Sequence, residues 1–307
     1  MPLSHNLRGA LFMSLSMAGF TFNDVFMKIV SARMNMGEAM FIRGIFATLF
    51  IFALAWSRCA LRPVRLAFHP MIILRIIGEA GGTVTFLIAL AYLPLANVSA
   101  ILQALPLAVT FGAAMFLAEP IGWRRMSAIL VGFLGVLIVV RPGVDGFSVY
   151  SLLVVGTVFF AALRDIATRL TPPELPSLFL SAITAPCIMV VGLAIIQPLG
   201  GWSAPSAGDI GMMAIAAAFL LVGYQFIILS MRVGEISFIA PFRYTSLLWA
   251  ILLGVVVFHQ TPDAAMLIGS AIIVGSGLYT LYRERIVKKK PGAAAKSLSS
   301  TPPARGT

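Results

Sequence analysis

Apolar runs of about twenty residues recur ten times along this chain, a pattern that few folds can absorb. They fall at roughly 8–30, 38–57, 71–92, 97–118, 126–141, 148–170, 177–197, 209–230, 236–257 and 264–282. Wound as a helix at about 1.5 Å of rise per residue, each crosses a hydrocarbon layer about 30 Å thick. A helix also satisfies its own backbone polar groups where water is absent. A membrane β-barrel needs segments of alternating polarity, and continuous blocks such as Leu130 to Val140 do not alternate. The pattern predicts an all-α, polytopic membrane protein with ten transmembrane helices.

Composition excludes the soluble alternative. Of 307 residues, 60% are hydrophobic and 11% charged, with a mean hydropathy of +0.99, which leaves too little polar surface to cover a water-soluble core. The joints between runs are short and carry helix breakers: Leu93-Pro94, Glu119-Pro120, Arg141-Pro142-Gly143, Thr171-Pro172-Pro173, Pro198-Leu199-Gly200 and Thr261-Pro262. No extramembrane domain fits between them. The first run, from Gly9 to Phe22, continues into Asn23, Asp24 and Lys28 without the small-residue cleavage pattern of a signal peptide, and reads as a retained helix. Residues 286–307, rich in Lys, Pro, Ala and Ser, read as a disordered basic tail on the cytoplasmic side. Cys59 and Cys187 belong to no CxxC or Cys/His cluster, so neither a disulfide framework nor a metal site is expected.

The net charge of +11 is a topology signal and not a nucleic-acid footprint, because the basic residues lie in short connections and in the tail. With the N-terminus placed in the cytoplasm, Arg8, Arg58, Arg62, Arg65, Arg75, Arg124, Arg125, Arg169 and Arg232 fall on the inner side. Only Lys28, Arg33 and Arg141 fall on the outer side, and the tail adds further positive charge inside. Both termini are therefore expected in the cytoplasm.

Shifting the sequence by 141 residues lays the first five runs over the last five without a gap. Asp24 then falls on Asp165, Lys28 on Arg169 and Gly82 on Gly223. Two repeats follow, 1–141 holding helices one to five and 142–285 holding helices six to ten. Five is odd, so the second repeat enters the bilayer inverted with respect to the first. Such an arrangement exposes a midplane site to either side by rocking one half against the other, which points to transport by analogy of fold.

Several local patterns resemble the drug/metabolite transporter superfamily in its EamA-like ten-helix branch. They are Arg43-Gly44, Ala89-Leu90-Ala91-Tyr92-Leu93-Pro94, Pro106, Leu117-Ala118-Glu119-Pro120, Gly135 and Arg141-Pro142-Gly143. Ala128 stands where that family usually has Gly and Gln260 where it usually has Glu, while Gly269 is kept, so the second half is the more divergent. The resemblance implies a multi-pass carrier of the bacterial inner membrane. It would move a small organic metabolite by alternating access, with lipid around it and without a cofactor. Riboflavin uptake is the first choice it implies; S-adenosylmethionine, amino acids and other metabolites, taken up or expelled, are the alternatives.

Charges inside hydrocarbon cost roughly 2.5–3.5 kcal/mol each unless paired or hydrated, so they should face an interior cavity. The candidates for substrate binding or gating are Asn23, Asp24, Arg43, Glu79, Arg164, Asp165 and Arg243. Asp24 and Lys28, Arg75 and Glu79, and Asp165 and Arg169 each lie four residues apart, and on one helix such pairs can neutralise one another. Glu79 lies among Gly78, Gly81 and Gly82, which permit close packing or a local break, and is the candidate site for a coupling proton. Arg243 follows Pro241, which removes a helix hydrogen bond, and suits an anionic or carbonyl-bearing ligand; the bland alternative is a pair with Glu79 or Asp24. Gln103 and Tyr244 coincide under the 141-residue shift and are candidate hydrogen-bonding walls. Tyr224, Gln225 and Trp249 are candidates for stacking on a planar ligand, although aromatic side chains in membrane proteins more often pack or anchor.

Other function classes find less support. An intramembrane enzyme would need a nucleophile with a base or a metal cluster, yet His5, His69 and His259 sit at or outside span ends and no HExxH or GxSxG pattern occurs. No GxxxxGK[ST] loop is present to drive a primary pump. A non-transporting membrane sensor or assembly protein, using the tail as an interaction arm, is the remaining alternative.

Overall fold

A computed structural model describes residues 5–117, 122–142, 147–172, 174–233 and 236–288. Every expected run is helical in it: α1 (His5–Val30), α2 (Met36–Ser57), α3 (Pro70–Tyr92), α4 (Leu95–Phe116), α5 (Trp123–Val140), α6 (Val149–Arg169), α7 (Ser177–Ile195), α8 (Ala207–Val233), α9 (Ala240–Phe258) and α10 (Ala264–Lys288). Local chemistry sets the boundaries. The Asn35 side chain accepts from the Glu38 amide to open α2, His69 does the same for Met71 with Pro70 behind it in α3, and Ser148 caps α6 through Tyr150. A short 3-10 turn at Val64–Phe68, not anticipated from hydropathy, precedes α3. The helix α10 winds on to Lys288, past residue 286 where the tail is expected to begin; the joint residues Glu119, Pro120, Gly143 and Pro173 and the rest of the expected tail lie outside the described residues.

Two helices are broken. In α4 the winding is interrupted at Gln103 and Ala104, just before Pro106, which has no N–H to offer the Leu102 carbonyl. In α9 the first turn, Ala240–Tyr244, is 3-10 and contains Pro241. The 141-residue shift places Gln103 and Ala104 on Tyr244 and Thr245, at the end of that 3-10 turn. The broken segments meet where Gln103 Nε2 donates to Ser246 Oγ at 2.8 Å.

The main packing partners always come from opposite halves of the chain: α1 with α8, α2 with α7, α3 with α6 and α5 with α10. Backbones approach through glycine. A methyl on Gly19 would stand 3.1 Å from the Phe219 carbonyl oxygen, and one on Gly78 would stand 2.8 Å from the Phe160 carbonyl oxygen. The shift maps Gly19 onto Phe160 and Phe219 onto Gly78, so glycine and phenylalanine exchange helices between the two interfaces while the pair keeps its combined volume.

The joints after α1, α3, α5, α7 and α9 share one face, tied together by polar contacts. Arg33 pairs with Asp209 at 2.8 Å, Asn35 Nδ2 donates to Gly201 O at 2.5 Å, Ser203 Oγ donates to Glu38 at 2.5 Å, and the Leu95 amide donates to Gln260 at 3.2 Å. Arg141 pairs with Asp263 there as well. The largest buried cluster lies under this face, from Val25–Met40 through Leu87–Ala104 to Leu253 and Met266. On the opposite face only smaller clusters form. Trp56 and Trp123, 77% and 75% exposed, mark its rim, where indole rings favour a headgroup layer.

Gly78→Ala should lower the thermal unfolding midpoint in detergent, by an amount equivalent to about 1–3 kcal/mol, because its methyl meets backbone atoms of α6. Gly156→Ala, whose methyl would meet nothing within 4 Å, should leave the midpoint where it is.

Candidate functional site

Two adjoining cavities, of about 460 Å³ and about 330 Å³, lie between the halves. Asp24, Arg75, Glu79, Arg164 and Tyr224 belong to both walls, so charged residues of α1, α3 and α6 and a tyrosine of α8 converge on one space. Asn23 and Arg43 line the smaller cavity, and Gln103, Asp165 and Arg243 the larger. Phe20 and Phe86 add apolar faces common to both.

The Gly78 contact explains how the central ion pairs form. Because α3 and α6 touch at Gly78, the next residue, Glu79, stands opposite Arg164. The Arg164 guanidinium holds Glu79 Oε2 at 3.4 Å and Asp165 Oδ1 at 2.8 Å, one cation between two carboxylates from different helices. A second chain runs through an amide: Arg43 Nη1 donates to Asn23 Oδ1 at 3.2 Å, and Asn23 Nδ2 donates to Asp24 Oδ1 at 2.9 Å. Arg75 donates to Thr184 Oγ1. Arg243, on the wall with Gln103 and Ser246, makes no hydrogen bond or ion pair among the described residues. No group of three His, Cys, Asp or Glu side chains among those residues stands ready to hold a metal ion.

None of the three i to i+4 pairs suggested by the sequence is the principal contact: the partners lie on another helix or on the adjacent residue. Lys28 donates to the Leu90 and Leu93 carbonyls at 2.7 and 2.6 Å, capping the turn after α3, and does not reach back to Asp24. Glu79 pairs with Arg164 while Arg75 turns to Thr184, and Asp165 is held by its neighbour Arg164. Arg243 pairs with neither Glu79 nor Asp24.

Of the polar walls expected, Gln103 and Tyr224 line cavities, whereas Tyr244 and Gln225 line neither. One residue along a helix is a turn of about 100°, so Gln225 points away from the space that Tyr224 faces. The same step carries Tyr244 from the Arg243 side towards Gly277 on α10, where its hydroxyl is buried without a partner. Trp249 packs near Met13 and Met17. Thr184, Ser246, Phe20 and Phe86 were not singled out beforehand, since nothing in the local sequence marks which apolar-helix residues meet across the two halves.

Arg164→Met should destabilise the folded protein by about 3–5 kcal/mol, because Glu79 and Asp165 then lose their shared counter-charge. Adding Glu79→Gln and Asp165→Asn to the same chain should recover most of that loss, measured by thermal unfolding in detergent.

Comparison with known proteins supplies the family. The model of the EamA-like transporter family matches residues 7–141. A riboflavin transporter of Vibrio cholerae is 30% identical over 220 residues, covering 71% of this chain and 72% of the relative. An S-adenosylmethionine uptake transporter of Rickettsia prowazekii is 25% identical over 287 residues, covering 91% and 94%. A chain solved by crystallography shares the fold with a TM-score of 0.60 at 17% identity, over 91% of this chain and 98% of its own. Ten apolar helices packed across two halves, with buried charges gathered between them, accord with these relatives, and the chain belongs to the EamA-like transporter family of multi-pass membrane transporters.

Proposed function

We propose that the protein is a secondary transporter of the bacterial inner membrane that moves a small organic metabolite through the central cavities by alternating access. The observation that carries this is the placing of scarce charged residues of the membrane-spanning helices around space between the two halves. The halves are 1–141 and 142–285, inserted with opposite polarity. The exchange of partners under the 141-residue shift, and the coincident breaks in α4 and α9, support that division. Tight packing beneath the joints after α1, α3, α5, α7 and α9 corresponds to a conformer closed on that face.

Riboflavin uptake is the first reading of substrate, supported by the Vibrio cholerae relative and by the planar faces of Phe20, Phe86 and Tyr224 along the walls. S-adenosylmethionine uptake is the second, favoured by the number of charged groups that face the cavities. Glu79, held by Arg164 inside the membrane, is the proposed carrier of a coupling proton.

Two measurements test this account. In oriented vesicles, a membrane-impermeant maleimide should reach exposed Cys59, in the joint after α2, from the cytoplasmic side alone; labelling from the other side would reverse the orientation. Purified protein in liposomes should accumulate radiolabelled riboflavin or S-adenosylmethionine, and faster with an inward proton gradient. Glu79→Gln should keep expression and lose that acceleration. Flux that stays pH-dependent in the variant removes Glu79 as proton carrier, and absence of flux with both compounds removes the substrate assignment.

A further inference from the structure

We propose that Arg243 is an oxyanion anchor, and that the transported molecule therefore carries an acidic group, a carboxylate or a phosphate. This rests on the cavities being the transport site, and within that reading it turns the substrate class away from riboflavin, which carries no acidic group, towards S-adenosylmethionine or a phosphorylated flavin. Seven ionisable carboxylate and guanidinium groups face the two cavities: Asp24, Glu79 and Asp165 against Arg43, Arg75, Arg164 and Arg243. Four cations meet three anions, so one positive charge is left over.

The hydrogen bonds show how it is distributed. Arg164 takes up both Glu79 and Asp165, and Arg43 reaches Asp24 through Asn23, so Arg75 and Arg243 are the two cations left without a carboxylate. Arg75 meets the neutral hydroxyl of Thr184, beside a buried Nε without a partner. Arg243 faces the larger cavity with no protein acceptor at all among the described residues, which makes its guanidinium the one fully open to a ligand there. A guanidinium presents its donors as a planar fork that matches two oxygens of a carboxylate or phosphate, and such charge-assisted bonds strengthen away from bulk water.

The neighbourhood suits an oxyanion further. Gln103 Nε2 donates to Ser246 Oγ at 2.8 Å and to the Ser99 carbonyl at 3.2 Å, which fixes the Ser246 hydroxyl on the same wall with its own proton able to reach a third ligand oxygen. Pro241 and the 3-10 winding of Ala240–Tyr244 place Arg243 at the break of α9, opposite the break of α4. An oxyanion bound there would cancel the residual charge within a low-dielectric enclosure, which a neutral ligand cannot do.

Two matched pairs test this, each differing only in the acidic group: flavin mononucleotide against riboflavin, and S-adenosylmethionine against its decarboxylated analogue. Binding to the purified full-length chain in detergent is read by calorimetry. In at least one pair the acidic member should bind tenfold or more tightly, the flavin pair reporting phosphate and the adenosyl pair carboxylate. Arg243→Gln should reduce the acidic member to the level of its partner without the acidic group, and Arg243→Lys should restore part of the difference. Unchanged binding of riboflavin, the uncharged member, to Arg243→Gln shows that the variant has kept its fold. Equal binding within both pairs, or a preference that survives Arg243→Gln, overturns the proposal. Acid-dependent binding without liposome flux would leave the anchor standing and refute transport, whereas flux of only the members without an acidic group would do the reverse.

Discussion

A charge placed inside a hydrocarbon layer must find a counter-charge, a hydrogen bond or water, and the centre of this protein is arranged around that requirement. Arg164 satisfies it for two carboxylates at once, Glu79 on α3 and Asp165 on its own helix. The contact depends on something uncharged: glycine at position 78, which lets the backbones of α3 and α6 come close enough for the adjacent glutamate to meet the arginine. Packing and electrostatics are thus one device here. A larger residue at Gly78 would widen the interface and lengthen an ion pair that already stands at 3.4 Å.

The same logic recurs on the other side of the molecule, in altered form. Where α3 and α6 pair Gly78 with Phe160, α1 and α8 pair Phe219 with Gly19. Around the first interface lies the Arg164 cluster, and around the second the chain of Arg43, Asn23 and Asp24. Position 164 answers to position 23 under the shift, so an arginine in one half is an asparagine in the other. Positions matched by the shift thus differ in charge, and a cavity between the halves acquires a polarity that neither half has alone.

Asymmetry also runs across the membrane. Polar contacts between the halves and the largest buried cluster gather beneath one face, while the opposite face has smaller clusters. Several of the contacts are single hydrogen bonds or partly exposed ion pairs, which contribute on the order of 1 kcal/mol each. Such contacts close a face without locking it. The breaks in α4 and α9 put two irregular segments against the cavity, where unsatisfied backbone is tolerated because space and polar side chains adjoin it.

Much of this was legible in the residues themselves. Ten runs of the right length and hydropathy required ten spanning helices, since backbone solvation in lipid leaves few other choices, and caps such as Asn35 and Ser148 set their ends locally. The scarcity of charge marked Asp24, Glu79, Arg164, Asp165 and Arg243 as residues that would seek an interior, and Pro241 foretold the break in α9. Partnership was not legible. Lys28 capping the turn after α3, Glu79 meeting Arg164 and Gln103 meeting Ser246 join residues up to 143 positions apart. Tyr244 and Gln225 failed as cavity walls because rotation about a helix axis is decided by what the helix packs against. Solvation by lipid acts on each segment alone, so the sequence by itself determined which segments cross and which side chains are costly there. Pairing energy exists only when two helices meet, so tertiary structure alone decided which charges are neutralised within the protein and that Arg243 faces a cavity without a protein acceptor among the described residues.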